Sequence, residues 1–266
     1  MLSERGRSPV RAFGFGVPIG ALGGLIGLGG AEFRLPVLTG VLGYRPRQAV
    51  AVNLAVSLIT VTAAAIIRGS TLEWQPVVEL LPVAAAMTTG AVVAAYVGIG
   101  IVHRLPETGL RRLILVLLVA IGLALIVEAF LPQDGGGLLG QTGPVPLLVA
   151  GACGLAIGLV SSLLGVAGGE LIIPTLLFLF GADIVTAGTV SLLVSLPTVA
   201  VGVGRHARRG TYSNRTDLTA TIVPMGVGSI IGAVVGGLLV GLAPDSLLKV
   251  LLGIILIVSA ARVFRH

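Results

Sequence analysis

Six runs of about twenty apolar residues follow one another along this chain, parted only by short polar gaps. They are Ala49 to Ile67, Pro76 to Val102, Leu110 to Leu131, Asp183 to Val203, Leu218 to Leu242 and Leu247 to Val263. A helix rises about 1.5 Å per residue, so each run can cross a hydrocarbon layer about 30 Å thick. Only 11% of the residues are charged, against about a quarter in a soluble domain. That is too little charge to cover a globule in water. A soluble enzyme, a nucleic-acid-binding protein and a disordered chain are excluded on this ground. The formal net charge of +6 comes from arginines in the gaps between runs, so it reads as a topology signal.

Two further apolar stretches are interrupted. Ala12 to Leu28 is followed by Gly29-Gly30-Ala31-Glu32-Phe33-Arg34 and then by Leu35 to Leu42. Pro146 to Leu164 is followed by Gly165-Val166-Ala167-Gly168-Gly169-Glu170 and then by Leu171 to Phe180. A second part of about ten residues reaches only half way through the bilayer. The early arginines Arg5, Arg7 and Arg11 before an apolar stretch imitate a signal peptide, but the stretch recurs as part of a repeat.

The repeat has a spacing of 138 residues, the distance from Pro36 to Pro174. At this spacing Gly16, Gly20, Gly27, Gly30 and Glu32 fall on Gly154, Gly158, Gly165, Gly168 and Glu170. Leu54, Ser57 and Thr60 fall on Leu192, Ser195 and Thr198. Gly90 to Val93 matches Gly232 to Val235 at a spacing of 142, which calls for a small insertion. The expected organisation is a first repeat over 1–131, a Gly/Pro-rich linker over 132–146 and a second repeat over 147–266.

The charges suggest how the repeats are oriented. Let each half hold a hairpin, formed by the broken stretch, and then three spans. The basic gaps then share one side: the N-terminus, Arg45 with Arg47, Arg104 with Arg111 and Arg112, Arg205 to Arg215, and the C-terminus. The poorly basic gaps (Arg68 to Glu73, the linker, Asp183, and Asp245 with Lys249) share the other. The fold expected is all-α and polytopic, with two inverted repeats, each a glycine-broken helical hairpin plus three transmembrane helices. The positive-inside rule places both termini in the cytoplasm and the chain in the inner membrane.

The chemistry concentrates at the breaks. Unwound backbone at membrane depth is tolerated only inside protein or beside a cavity. A helix that restarts there presents free amides and its positive dipole end, which suits an anion. Gly30, Ala31, Gly168 and Gly169 are the expected backbone donors. Pro36 and Pro174 sit one turn on, where a missing N–H is tolerated. Glu32 and Glu170 could cap the restarting helices, carry a coupling proton or ion, or occupy a solvated loop position; an ionisable group at membrane depth is costly, so a functional role is the first expectation. Arg34 stands where the second half has Ile172. It reads equally as an anion ligand and as a side chain snorkelling to the interface. Asn53, Ser57 and Thr60 share one helix face, as do Ser191, Ser195 and Thr198. Each stripe reads as a polar lining or as interhelical hydrogen bonding. Gly16, Gly20, Gly23 and Gly27 read as close helix packing, and Trp74 and Tyr212 as interface anchors.

The lone Cys153 and the three histidines, all in gaps or at the end, argue against a disulfide, a metal site or a bound cofactor. The run Gly165-Val-Ala-Gly168-Gly169-Glu170-Leu-Ile-Ile-Pro174-Thr-Leu, with Ala187-Gly-Thr189-Val-Ser191-Leu after it, resembles the TauE/SafE family of membrane permeases. The first-half version, Gly27 to Leu38, is looser, with Ala31 in place of a glycine and Arg34 in place of an apolar residue. The resemblance implies a transporter that exports sulfite, an organosulfonate or a related small anion. Its partners are then that anion and the lipid bilayer, with no nucleic acid, and self-association stays open. The rivals are a carrier of cations through Glu32 and Glu170 and, more remotely, an intramembrane enzyme using Ser161 or Ser162 with Glu170.

Overall fold

The computed structural model describes residues 8–27, 29–71, 74–102, 137–213 and 215–239, with scattered positions between 116 and 130 and between 244 and 258. Most of the third expected span of each half, both chain ends, and Arg104, Arg111 and Arg112 lie outside the described residues. Among the described residues all regular structure is helical. The elements are α1 (Pro9–Ile26), α2 (Ala31–Pro36) running into a π-helical turn (Val37–Val41), α3 (Pro46–Thr71), α4 (Gln75–Glu79) and α5 (Leu81–Val102). After the linker come α6 (Pro144–Leu164), α7 (Gly169–Phe180), α8 (Ile184–Arg208) and α9 (Arg215–Leu238). Five of them are long and apolar enough to cross a bilayer, namely α1, α3, α6, α8 and α9. The first arm of each hairpin, with 18 residues in α1 and 21 in α6, is therefore of spanning length.

Both predicted breaks are present. Gly27 and Gly165 end their helices at φ of 90° and 67°, and Gly30 and Gly168 start the next ones at 70° and 85°. These are left-handed conformations that glycine alone adopts without steric cost. Other expectations need revision. The run Pro76 to Val102 is not one helix but breaks at Leu80. Pro82 has no N–H for the carbonyl four residues back, and it sits instead in the first turn of a new helix. Pro174 lies six residues into α7, inside the helix rather than among its free first amides. Its effect is to remove the donor that would bond the Glu170 carbonyl.

Two close helix pairs build the bundle, and each joins one half to the other. The backbone of Met225, Ser229 and Ala233 lies where Cβ atoms on Gly16, Gly20 and Gly24 would sit, so α1 and α9 run parallel in near contact. The backbone of Met87 and Ala91 meets Gly154 and Gly158 in the same way, so α5 and α6 also run parallel. Small residues permit this approach, and dispersion between the backbones then holds the pairs in lipid. The two interfaces copy each other at the repeat spacing. Gly90 meets Gly151 and Leu155, and Gly228 meets Phe13 and Val17. Gly90 therefore corresponds to Gly228, at the common spacing of 138. The match of Gly90 to Gly232 in the sequence is a coincidence of low-complexity composition, and no insertion is needed.

Between these pairs α3 and α8 cross in opposite directions. Arg68 near the end of α3 bonds Val185 and Thr189 near the start of α8, while Leu54 packs beside Gly202 near its end. α1 runs with α3: Ala12 and Ala49 share a cluster at their starts, and Arg68 reaches Gly24 and Leu25 at the end of α1. α5 runs with α8, since Tyr96 lies under the Arg205 guanidinium, 4.5 Å from the ring centroid. One end of the bundle thus gathers the starts of α1, α3 and α9 with the ends of α2 and α8. The Tyr44 hydroxyl donates to Asp217 and is hydrogen-bonded to the Thr221 hydroxyl there, and Tyr212 donates to the Ala51 carbonyl. Tyr212 is thus bonded inside the protein rather than serving only as an interface anchor, and burial pushes its phenol above the usual range. Arg45, Arg205, Arg208, Arg209 and Arg215 all belong to this end. At the other end Asp183 caps α8 by accepting from the amides of Val185 and Thr186. The linker closes α7, with the amides of Leu138 and Leu139 on the carbonyls of Phe178 and Leu179.

Candidate functional site

The two breaks meet each other. A Cβ on Gly29 would touch the Ala167 methyl at 3.6 Å, and these residues occupy equivalent positions in the two halves. Each break also packs on the long helix of the opposite half, Gly27 against Gly188 and Gly165 against Val50. The wall around them is a buried cluster of Leu54, Val61 and Ala64 from α3, Leu192 and Val199 from α8, Ala167 and Ala233.

At the first break Arg34 is fully buried. Its Nε donates to Asn53 Oδ1 at 3.2 Å, Nη1 to Thr60 Oγ1 at 2.8 Å, and Nη2 to Ser57 Oγ at 3.1 Å and to the Gly29 carbonyl. The whole α3 stripe therefore turns toward one guanidinium. Burial this complete removes the snorkelling reading, because the head group never reaches an interface. Asn53 in turn donates from Nδ2 to the carbonyls of Ala31 and Gly165, each at 3.0 Å. One amide thus ties the two breaks together. Gly30 is buried against Ile19.

At the second break Gly168 stands at the N-cap of α7, and Gly169 and Glu170 form the first turn, all buried. Neither glutamate occupies the capping position itself. Glu170 is the second residue of α7 and Glu32 the second of α2, and the Glu32 side chain lies outside the described residues. A carboxylate in a first turn still interacts favourably with the helix dipole. Ser191 and Ser195 are 0% and 1% exposed, and neither hydroxyl has a hydrogen-bond partner among the described residues.

A profile of the family described as Sulfite exporter TauE/SafE matches residues 2–125 and 150–266. The chain belongs to the TauE/SafE family. No curated protein and no solved structure matches it. This TauE/SafE chain is therefore a multi-pass membrane transporter of the sulfite and sulfonate export family, and not an enzyme.

The reading of the sequence missed one prominent residue of the transporter. Arg68 was placed in a polar gap, yet it lies within α3 and is 1% exposed. It donates to the carbonyls of Gly24 and Leu25 at the end of α1, and to the Val185 carbonyl and Thr189 hydroxyl of α8. A cation at a helix C-terminus satisfies carbonyls that have no partner within the helix. An isolated arginine directly after an apolar run carries no such signal. Tyr44, Asp217 and Thr221 were likewise not singled out, since their pairing spans 173 residues or more of sequence.

Proposed function

We propose that this TauE/SafE protein exports a small sulfur oxyanion, sulfite or an organosulfonate, by alternating access around the two meeting breaks. The observation that carries this reading is the contact of Gly29 with Ala167, where two interrupted helices face each other inside the protein. The first amides of a helix that restarts inside the protein suit an anion, and an interrupted helix at membrane depth is tolerated only within protein or beside a cavity. Two inverted repeats are the arrangement proposed for the halves. It is supported by α1 and α3 running together while their counterparts α6 and α8 run the opposite way. The arginine-rich end is taken as cytoplasmic, with both termini on that side. Export then consists of rocking the close pair α1–α9 against the close pair α5–α6, each moving as a rigid unit.

Glu170 is proposed as the proton carrier. It is buried in the first turn of α7, where protonation and anion binding influence each other. The function is tested by loading proteoliposomes with sulfite, sulfoacetate or a divalent cation and following efflux with and without a pH gradient. Sulfur anions should leave in a pH-dependent manner and cations should not. In the Glu170→Gln variant the gradient-driven rate should fall about tenfold or more while sulfite affinity is kept. An unchanged pH dependence in that variant removes the coupling role.

A further inference from the structure

The two breaks repeat each other in backbone but differ in what their polar groups face. In the first half the guanidinium of Arg34 takes up Asn53, Ser57 and Thr60. In the second half Ile172 stands in the place of Arg34, and the hydroxyls of Ser191 and Ser195 are buried without a partner among the described residues. A helical serine or threonine commonly bonds back to the carbonyl four residues earlier. Thr60 and Thr198 do so, on Val56 and Val194. Ser191 and Ser195 do not, so their hydroxyls are directed elsewhere. Their direction follows from their neighbours on α8. Val190 and Val194 belong to the apolar cluster with Ile172 and Ile173 of α7, whereas Leu192 and Val199 belong to the one with Ala167 of the break. At 3.6 residues per turn, Ser191 and Ser195 project between those two faces, toward the region where α7 begins. That helix has 12 residues and a glycine at its N-cap, which supplies no side-chain hydrogen bond to its first amides.

We infer that the transporter has one anion site, not two, and that it lies in the second half. The oxygens of the anion accept from the Ser191 and Ser195 hydroxyls and from the first amides of α7. Arg34 is the internal cation that fills the equivalent place in the first half. The inference rests on the export reading and refines it. A fully buried hydroxyl with no acceptor is costly to a folded protein unless a bound solute supplies the acceptor. Two such hydroxyls beside a helix N-terminus match a solute with several acceptor oxygens on one centre, as in sulfite or a sulfonate head group. The positive end of α7 opposes a cation at the same place.

The test is sulfite binding to the full-length protein in phosphatidylethanolamine/phosphatidylglycerol nanodiscs, with sodium titrated in parallel. Combining Ser191→Ala with Ser195→Ala should raise the sulfite Kd at least about tenfold. The same pair should leave the ligand-free melting temperature unchanged or raise it, because an unpaired buried hydroxyl is removed. Ser57→Ala should do the reverse, lowering the melting temperature and altering the sulfite Kd far less. An unaltered Kd in the double variant, or an equal loss in Ser57→Ala, overturns the single-site assignment. So does a loss of sodium response with sulfite affinity intact. A wild-type protein that neither binds nor moves sulfite or sulfoacetate contradicts the export reading itself, which separates the two failures.

Discussion

Arg34→Met will destabilise this protein by about 4 kcal/mol and stop sulfite transport. The apolar replacement fills much of the same space but leaves the Asn53 carbonyl, the Ser57 and Thr60 hydroxyls and the Gly29 carbonyl without their donor. Each buried group left unmatched costs about 1–3 kcal/mol, so the sum far exceeds the loss from packing. The damage should spread to the second half, because Asn53 also holds the carbonyl of Gly165. Arg34→Lys keeps the charge but offers a compact ammonium instead of a fork, and it cannot reach partners spread over two turns of α3. The expected order of melting temperature in nanodiscs is wild type, then Lys, then Met, with flux lost in both variants. A methionine variant as stable as the wild type would show that the guanidinium network is not what holds the first break.

Gly158→Val will be nearly as damaging, for a different reason. The carbonyl and Cα of Ala91 already occupy the place of the new Cβ, and backbone cannot swing aside as a flexible side chain could. The pair α5–α6 must separate along its length, at a cost of about 3 kcal/mol or more. Gly20→Val should do equal harm to the pair α1–α9, because Gly20 meets Ser229 in the matching register. Gly14→Val is the control, since nothing lies within 4 Å of its Cβ position. Size-exclusion chromatography of the three variants checks this. The expected result is a monodisperse peak for Gly14→Val alone. Equal monodispersity of Gly158→Val would contradict the close crossing.

Much of this architecture is legible before any coordinates. Long apolar runs have a single stable outcome in lipid, and a Gly-rich interruption beside a Glu and a Pro cannot continue as regular helix. That is why both breaks and the short second arms fall where expected. Helix ends were predicted less well, because the packing of Pro82 and the capping by Asp183 are decided within one or two residues. The glycine repeat was visible, but its register between α5 and α9 was not, since Gly and Ala recur too often for identity to choose between spacings of 138 and 142. Contacts settle it, because Gly90 meets Gly151 and Leu155 while Gly228 meets their equivalents Phe13 and Val17. The roles of Arg34 and Arg68 were hidden for a related reason. A lone arginine among apolar residues looks alike whether it faces lipid head groups or carbonyls of a neighbouring helix. Only the fold brings Gly24, Leu25 and Val185 within its reach.

The two halves are proposed to be inverted with respect to the membrane, so that their breaks face each other from opposite sides. Arg45 and Asp183 test it most directly, because they are equivalent positions directly after the two short hairpin arms, and both are exposed. Each is changed to cysteine in a background carrying Cys153→Ser, and intact cells stripped of their outer membrane are treated with a membrane-impermeant maleimide. Inverted halves give labelling of the Asp183→Cys protein in intact cells and of the Arg45→Cys protein only after lysis. Labelling of both from the same side would mean parallel repeats, and the mechanism built on opposed breaks would not stand.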